Sequence, residues 1–488
     1  MAVGPATWSA LVEGRRLAHS AIVTLAIGLF VVDSFMLAAV LPSVVEEIGG
    51  AAFYAWCAML YTITATLGTA CGGLLAARSG MRRTALLGVL LLFAGNVGAA
   101  VAPTMAILLV VRAVQGFGGG LLVAQAYGMA SAFYPDALRA RVLTMISVAH
   151  GLAALVGPIV GGGFAAIGWW RGAFWAAVPL LVVLAALVWR FLPARDAEGA
   201  VASLPLLRLM LVGGAVLCVA ASGQVTSPLV RLLAVVGAVI LAKGGLLLDA
   251  RAAARLFPSR PLALTDAVGA GLWIALLFNV TTAHAGVFMP LVVQVLHGVS
   301  PLWAGYFQSV LALSWTTLAV VSAGFDRRRA QRAILAGSFL ILCGVAGQAL
   351  LVVDGPLLLL AASVATTGAG MGLCFAHISS WTMSSARPGE AAVTASSIPT
   401  MQSFGRAFGA ATAGLVANAA GLASGVSPAA VASAATWVYG LGVVPPLAIL
   451  ALSLRLVWLH REVMSSPPVG ARSASVRGRA EGPTEERP

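Results

Sequence analysis

Residues 21–41 read AIVTLAIGLFVVDSFMLAAVL, an apolar run interrupted by a single carboxylate, Asp33. About 20 apolar residues in a helix cross the hydrocarbon core of a bilayer, so this stretch predicts a membrane-spanning helix. An ionised, unpaired acid is costly there, and such acids usually face a cavity and carry protons or contact substrate. Asp33 is therefore our first candidate for proton coupling. The alternative is an acid that stays neutral or is locked to one basic partner.

The composition of the whole chain indicates the same class. Of the 488 residues, 60% are hydrophobic and 9% are charged, and the mean hydropathy is +0.98, whereas soluble domains carry about 25% charged residues. The net charge of +13 comes from arginines in short gaps between apolar runs, which argues against a nucleic-acid partner. The five cysteines lie in apolar runs without ligand spacing, so we predict no metal and no cofactor. Nucleotide loops and catalytic-triad spacings are also missing from the sequence, so we do not expect an enzyme or an ATP-driven pump.

Fourteen apolar runs follow one another along the chain and predict an all-α integral membrane protein. They cover residues 21–41, 53–76, 84–101, 105–133, 142–167, 173–191, 204–221, 229–248, 267–295, 302–323, 334–353, 357–383, 392–420 and 430–459. The seventh and eighth runs are shorter, and a re-entrant pair is the alternative reading there.

Loop charge predicts the orientation of these helices. Arginines are concentrated in alternate loops, and the positive-inside rule places those loops in the cytoplasm together with both termini. Arg15 and Arg16 before the first run resemble the start of a signal peptide, but no clean cleavage site follows, so we interpret the run as a retained helix. We therefore expect a multi-pass protein of the bacterial cytoplasmic (inner) membrane with a disordered cytoplasmic tail over residues 463–488.

Two parts of the chain echo each other. GLLAAR at residues 73–78 follows the second run, and GFDRR at residues 324–328 follows the tenth. The same offset carries Asp33 onto His284, in the ninth run. Internal repeats of this kind build many secondary transporters. We predict two pseudo-symmetric six-helix bundles, over residues 1–200 and 261–462, with two inserted helices and a cytoplasmic linker between them, over residues 201–260.

Four strings resemble motifs of a known family. They are DSFMLAAVLP at residues 33–42, GLLAARSGMRR at 73–83, RAVQGFGG at 112–119 and GPIVGG at 157–162. Their order and helix positions are similar to those of the fourteen-helix drug:proton antiporter branch of the major facilitator superfamily, over about residues 31–459. The resemblance implies a proton-coupled secondary exporter of small amphipathic compounds that works by alternating access. The rivals are the same machinery acting on a lipid or a specific metabolite, and a membrane scaffold that transports nothing.

The resemblance also assigns roles to the motifs. It implies that Arg112 takes part in proton coupling beside Gln115, although a packing role between helices is the alternative. It implies that Gly157, Pro158, Gly161 and Gly162 mark an exporter, mainly by shaping the fifth helix.

The loop motif implies a cytoplasmic gate. It departs from the family pattern at Ala77, where an acid is usual, while Gly73, Arg78, Gly80 and Arg82 remain. Asp326 and Arg327 could serve in the second half. The favoured alternative for the loop arginines is topology and contact with lipid phosphates.

Two basic residues in the last six helices are further candidates. His284 titrates near neutral pH and could exchange a proton, unless it is a neutral, hydrogen-bonded bundle residue. Arg406, deep in the thirteenth run, predicts a partner acid or an anionic substrate group. Polar and aromatic side chains that could line the substrate cavity are Trp56, Tyr61, Gln115, Gln125, Asn279, Gln308, Trp315, Gln402 and Arg406. The expected partners are a small-molecule substrate, protons and membrane lipids, and we expect a monomer.

Overall fold

The computed structural model describes residues 9–194, 206–225, 227–252 and 255–465. Within these ranges the chain forms fifteen α-helices and no strand. They are α1 (Arg15–Ile48), α2 (Tyr54–Ser79), α3 (Met81–Ala100), α4 (Met105–Ala132), α5 (Asp136–Ala166), α6 (Arg171–Phe191), α7 (Leu206–Ser222), α8 (Pro228–Ala250), α9 (Ala267–Val295), α10 (Pro301–Ser322), α11 (Arg327–Leu351), α12 (Leu357–Ser384), α13 (Ala391–Ala419), α14 (Pro428–Leu441) and α15 (Val444–Ser465). Nearly all of the predicted disordered tail lies outside the described residues.

Twelve segments of the described chain are long and apolar enough to cross a membrane. Helix α7 has only a short apolar stretch, Met210–Ser222, and α13, which carries Arg406 and several hydroxyl side chains, is not among the twelve. Helices α14 and α15 count together as one span, Pro428–Leu459. The chain is therefore an all-helical, multi-pass membrane protein, and the predicted count of fourteen spanning helices is not confirmed.

The ends of the first and last predicted runs differ from the structure near prolines. Pro42 lies inside α1, which continues past the predicted end to Ile48. The last predicted run is divided into α14 and α15, with Gly442 and Val443 between them. Pro445 and Pro446 follow in the first turn of α15, where a helix tolerates proline because the first N–H groups have no intrahelical partner.

Helix packing repeats along the chain. In α1–α6, α1 packs on α5 and α6, α2 packs on α4, and α3 packs on α4 and α6. In α9–α15, α9 packs on α13 and α15, α10 packs on α12, and α11 packs on α12 and α15. We call these sets the N-terminal unit and the C-terminal unit. Their matching pattern supports two pseudo-symmetric bundles, while the predicted domain boundaries stay a prediction.

Helices α7 and α8 form a hairpin outside the two units. They pack on each other, and α7 also packs on α13 and α2. The carboxylate of Asp249 at the end of α8 accepts hydrogen bonds from Arg208 of α7 and from the backbone N–H groups of Leu256 and Phe257. This buried acid ties the hairpin to the segment that leads into α9.

The two units meet along α2–α13 and α5–α10. Close pairs across these contacts are Ala52 with Asn418, Ala55 with Gly414, Ala154 with Ser309, Pro158 with Gly305, and Gly162 with Leu302. All of them lie in the halves of the helices remote from the arginine-rich loops, because α2 begins and α5 ends on that side. We call this set of contacts the far-end closure.

Candidate functional site

The N-terminal unit buries an ion pair between its first and fourth helices. Nη1 of Arg112 donates to Oδ2 of Asp33 over 2.6 Å and to Oε1 of Gln115 over 2.9 Å. Nε2 of Gln115 donates to the other carboxylate oxygen of Asp33 over 3.2 Å, which closes a triad. Asp33 is 2% exposed, and Arg112 and Gln115 are 0% exposed. The two charges therefore neutralise each other in a place that water does not reach.

Tyr61 of α2 covers the ion pair. The centre of its ring lies 4.1 Å from Cζ of Arg112, and its hydroxyl donates to the carbonyl oxygen of Phe30 over 2.7 Å. Glycines of α4 permit this close packing, since a Cβ on Gly116 would collide with the backbone of Tyr61 and one on Gly119 with the ring of Phe30. Two residues of the predicted substrate cavity, Gln115 and Tyr61, thus belong to the surroundings of Asp33.

The glycine-proline string of α5 connects this site to the far-end closure. A Cβ on Gly157 would lie 2.5 Å from Cβ of Phe35, and one on Gly161 would collide with the backbone of Met36. Both contacts fall on α1 within one turn of Asp33. Pro158 and Gly162 touch α10 instead, so this short string bridges the turn that follows Asp33 and the C-terminal unit.

Arg406 lies on α13 in the C-terminal unit. Its Nη1 donates to Oδ1 of Asn279 in α9 over 2.9 Å, and its Nη2 donates to Oγ of Ser403 over 3.3 Å. Both partners are neutral, and none of the ion pairs within the described ranges includes this arginine. The side chain is exposed on the protein surface, unlike that of Arg112. Asp33, the buried acid of the N-terminal unit, is bonded to Arg112 and is not the partner of Arg406.

His284 lies further along α9 in the same unit. Its Nε2 is 3.2 Å from Oγ1 of Thr412 in α13, and its Nδ1 has no hydrogen-bond partner among the described residues. His284, the counterpart of Asp33 in the sequence repeat, therefore has an uncharged hydroxyl as its neighbour, whereas Asp33 has an arginine. Tyr54 and Tyr439 are also buried, and their hydroxyl groups have no hydrogen-bond partner among the described residues.

The remaining cavity candidates lie apart. Trp56 borders an apolar groove between α2, α3 and α4 together with Phe53. Gln125 is buried, and its Nε2 donates to the carbonyl oxygen of Gly72 over 2.9 Å, which ties α4 to α2. Trp315 packs against Phe375 of α12. Gln402 is half-buried on α13, one turn before Arg406. Gln308 is in α10, and its side chain lies outside the described part of the chain.

The predicted gating residues lie at the ends of α2, α3 and α11. Gly80 separates α2 from α3 with φ of 84°, a conformation that side chains other than glycine rarely adopt. Arg78 and Gly73 are exposed, and Arg82 stacks on Trp189 of α6, with 4.0 Å from its Cζ to the ring centre. These positions place the motif at the helix ends of the N-terminal unit.

Asp326 caps the start of α11. It accepts from the backbone N–H of Arg329 over 3.1 Å, and the neighbouring Arg327 is exposed. In the described residues its carboxylate also lies 3.8 Å from the side chain of Arg329 and makes no bond to the N-terminal unit. The structure thus shows a helix cap at Asp326 in place of a latch between the units.

Two further ionic groups were not predicted from the sequence. Glu47 at the end of α1 accepts from Nε1 of Trp170 over 2.6 Å and from Arg171, which also donates to the carbonyl oxygen of Ala102. Asp249 and Arg208 form the second group, in the hairpin. An acid near a helix end was the available signal in both cases. Within the described chain, no group of three or more His, Cys, Asp or Glu side chains could hold a metal ion.

Comparisons with known proteins identify the family of this chain. The family model described as Major Facilitator Superfamily matches residues 23–410. A protein of Mycobacterium tuberculosis (strain ATCC 25618 / H37Rv), named "Probable multidrug-efflux transporter Rv1634", is 30% identical over 431 residues, which is 85% of this chain and 90% of that protein. The "Multidrug transporter protein MdtP" of Bacillus subtilis (strain 168) is 23% identical over 427 residues, 83% of this chain and 77% of the relative.

Solved structures share the fold at low sequence identity. A peptide transporter POT in complex with sulfate superposes with a TM-score of 0.64 at 17% identity, covering 91% of this chain and 95% of that chain. A D-xylose-proton symporter gives a TM-score of 0.61 at 15% identity, covering 89% and 97%. These likenesses support the fold alone.

Proposed function

Because the chain belongs to the Major Facilitator Superfamily and is a membrane transporter of small molecules, not an enzyme, we propose that it exports small amphipathic compounds in exchange for protons. Relatives named as multidrug transporters support the substrate class. The observation that carries the proton coupling is the buried triad of Asp33, Arg112 and Gln115. A non-transporting scaffold has no need of such a pair, since buried charges are costly.

The triad links protonation to conformation. While Asp33 is ionised, its negative charge compensates Arg112, and Nη1 of Arg112 donates to both Asp33 and Gln115. A proton on Asp33 removes that compensation and leaves a guanidinium that cannot discharge in a closed, apolar place. The arrangement of the triad seen here is then no longer favoured. Protonated and ionised Asp33 therefore favour different arrangements of α1 and α4, which is the coupling that an exchanger needs.

The packing of α5 offers a route from this switch to the units as a whole. Phe35 and Met36 follow Asp33 on α1 and touch Gly157 and Gly161, while Gly162 touches Leu302 of the other unit. A movement of α1 at Asp33 would therefore be transmitted through α5 to the contacts of the far-end closure. We propose that these contacts part when substrate has loaded while Asp33 is ionised, and that they re-form after Asp33 has taken up a proton from the external side.

The positive-inside rule gives the direction of the cycle. With the arginine-rich loops and both termini in the cytoplasm of a bacterial cell, the far-end closure seals the external side, and substrate enters from within. Protonation of Asp33 from outside then accompanies release of substrate outward, and the proton leaves inward.

We propose His284 as a second proton carrier and the loop motif with Arg78 and Arg82 as the cytoplasmic gate, in a monomer surrounded by lipid.

Exchange of Asp33 tests the coupling. In proteoliposomes with an internal pH dye, wild-type protein should move protons when an amphipathic compound is added, and an uncoupler should abolish its accumulation. Asp33→Asn should insert normally but show no substrate-driven proton movement, whereas Asp354→Asn, which changes an exposed carboxylate between α11 and α12, should match wild type. Wild-type coupled flux in Asp33→Asn at equal protein amounts would contradict the coupling role. A panel that also includes lipids and polar metabolites decides between amphipathic compounds and the rival substrates.

A further inference from the structure

Helix α13 contacts α9, α2 and α7 on three of its sides, and Arg406 lies on the fourth side. Gly405 and Gly409 lie on the face against α9, since a Cβ on either would collide with that helix. Gly414 lies on the face against α2, where its Cβ would be 2.8 Å from Ala55, and Leu415 approaches Gly223 at the end of α7. At 100° per residue, Arg406 falls between the α9 and α2 faces and opposite α7. This fourth face looks into the space between the two units.

Exposure along the same face agrees with this direction. Ala395 and Pro399 are exposed, Gln402 is half-buried, and Arg406 is exposed. Further along the same face, Ala413 is only 1% exposed. The face is therefore open from the arginine-rich end as far as Arg406 and is closed beyond it. Arg406 stands at the inner end of an opening that faces the arginine-rich loops.

The charge of Arg406 is not compensated by the protein parts that the structure describes. Its two hydrogen-bond partners, Asn279 and Ser403, are neutral. The mid-membrane acid Asp33 is occupied by Arg112 in the other unit and is 2% exposed. Asp249, the other strongly buried acid, is held by Arg208 and two backbone N–H groups. A guanidinium has five N–H donors, of which the described contacts use two, so others can bind a ligand.

We propose that Arg406 is the anchor for an anionic head group, so that the exported compounds are amphipathic anions: carboxylates, sulfonates or phosphates on an apolar body. This inference rests on the proposed export function and names its substrate class. A permanent positive charge attracts anions and repels cations, and the planar fork of arginine suits tetrahedral and carboxylate oxyanions. Asn279 holds the guanidinium in position and is a positioning residue for the same contact.

Binding of two matched probes tests the charge preference without reference to protons. The probes are a pyrenylalkyl sulfonate, which stays anionic at every pH used, and a pyrenylalkyl trimethylammonium of equal chain length. Quenching of protein tryptophan fluorescence in detergent reports their dissociation constants. Wild type should bind the sulfonate about tenfold or more tightly than the ammonium compound. Arg406→Gln should weaken the sulfonate about 10–100-fold, in line with loss of charge-assisted hydrogen bonds, while Arg406→Lys should keep most of the affinity.

Arg190→Gln is the matched control, because it removes the same charge from an exposed position at the end of α6. It should bind both probes as wild type does. Equal or stronger binding of the ammonium probe by wild type, absence of sulfonate binding, or an unchanged preference in Arg406→Gln would overturn the proposal. Failure of the proton-coupling proposal shows separately, as a sulfonate preference that persists in a protein that moves no protons.

Discussion

The N-terminal and C-terminal units hold their mid-membrane cations in opposite ways. Arg112 is buried, paired with Asp33 and covered by Tyr61, while Arg406 is exposed and bonded to neutral Asn279 and Ser403. A sealed pair suits a switch, since its energy changes sharply when a proton is added. An accessible, uncompensated cation suits a binding site. The difference suggests that the two units have divided the work, with proton chemistry in one and substrate charge in the other.

The sharpest way to break this comparison is to remove each cation in turn. Arg112→Gln leaves Asp33 buried without a counter-ion, and we expect the free energy of unfolding to fall by about 3–5 kcal/mol. Arg406→Gln removes hydrogen bonds to neutral groups and leaves no charge uncompensated, so we expect a smaller loss of about 1–2 kcal/mol. Unfolding in mixed detergent–dodecyl sulfate micelles measures both.

A double variant shows whether the large loss belongs to the pair. Asp33→Asn combined with Arg112→Gln should recover most of the stability, because neither charge then remains uncompensated. If the double variant is no more stable than Arg112→Gln alone, the cost comes from packing around Tyr61, and the switch interpretation of the pair loses its support.

Adjacent glycines of α5 sharpen the comparison at the contact between the units. A Cβ at Gly162 would collide with Leu302, whereas one at Gly163 meets nothing within 4 Å. Gly162→Val should therefore disfavour the far-end closure by about 1–3 kcal/mol, and Gly163→Val, with the same helix propensity change, should not. Spin labels at the exposed positions Ile167 and Trp303 should move apart only in Gly162→Val. Equal distances in both variants would show that the glycine does not control the closure.

The smallest expected effect concerns His284, a titratable residue of the C-terminal unit. If it carries a second proton, His284→Gln should lower the number of protons exchanged per substrate without abolishing exchange, and should change stability by about 1 kcal/mol or less. Thr412→Val is the control, because it removes the hydroxyl neighbour and keeps the imidazole. An unchanged proton number in His284→Gln would identify a neutral bundle histidine. Proton exchange would then belong to the N-terminal unit, and substrate charge to the C-terminal unit.

Local sequence patterns predicted most of this fold. Apolar runs long enough to span a bilayer gave the helix order, and prolines marked where the pattern was ambiguous, at Pro42 within α1 and at Pro445 after the break before α15. Hydropathy could not show that α14 and α15 are separate, because the residues between them are equally apolar.

The sites were predictable as residues but not as pairs. Asp33, Arg112 and Arg406 stand out because charge in a membrane is costly. Which charges meet depends on helix packing, and Asp33 and Arg112 are 79 positions apart. The acids Glu47 and Asp249 were missed because they lie near helix ends, where charge is ordinary. The neutral partner of Arg406, Asn279, carried no signal beyond its polarity.

The most direct test of the division between the units measures proton exchange and sulfonate binding in the same sample. The pyrenylalkyl sulfonate is added to unbuffered, detergent-solubilised protein with a pH dye, and bound probe and protons exchanged are recorded together. The account predicts that Asp33→Asn binds the sulfonate within threefold of wild type but exchanges no proton through the N-terminal unit. It predicts that Arg406→Gln loses about tenfold or more in affinity while its acid–base titration keeps the contribution of Asp33. Loss of sulfonate binding in Asp33→Asn, or unchanged affinity in Arg406→Gln, would contradict it.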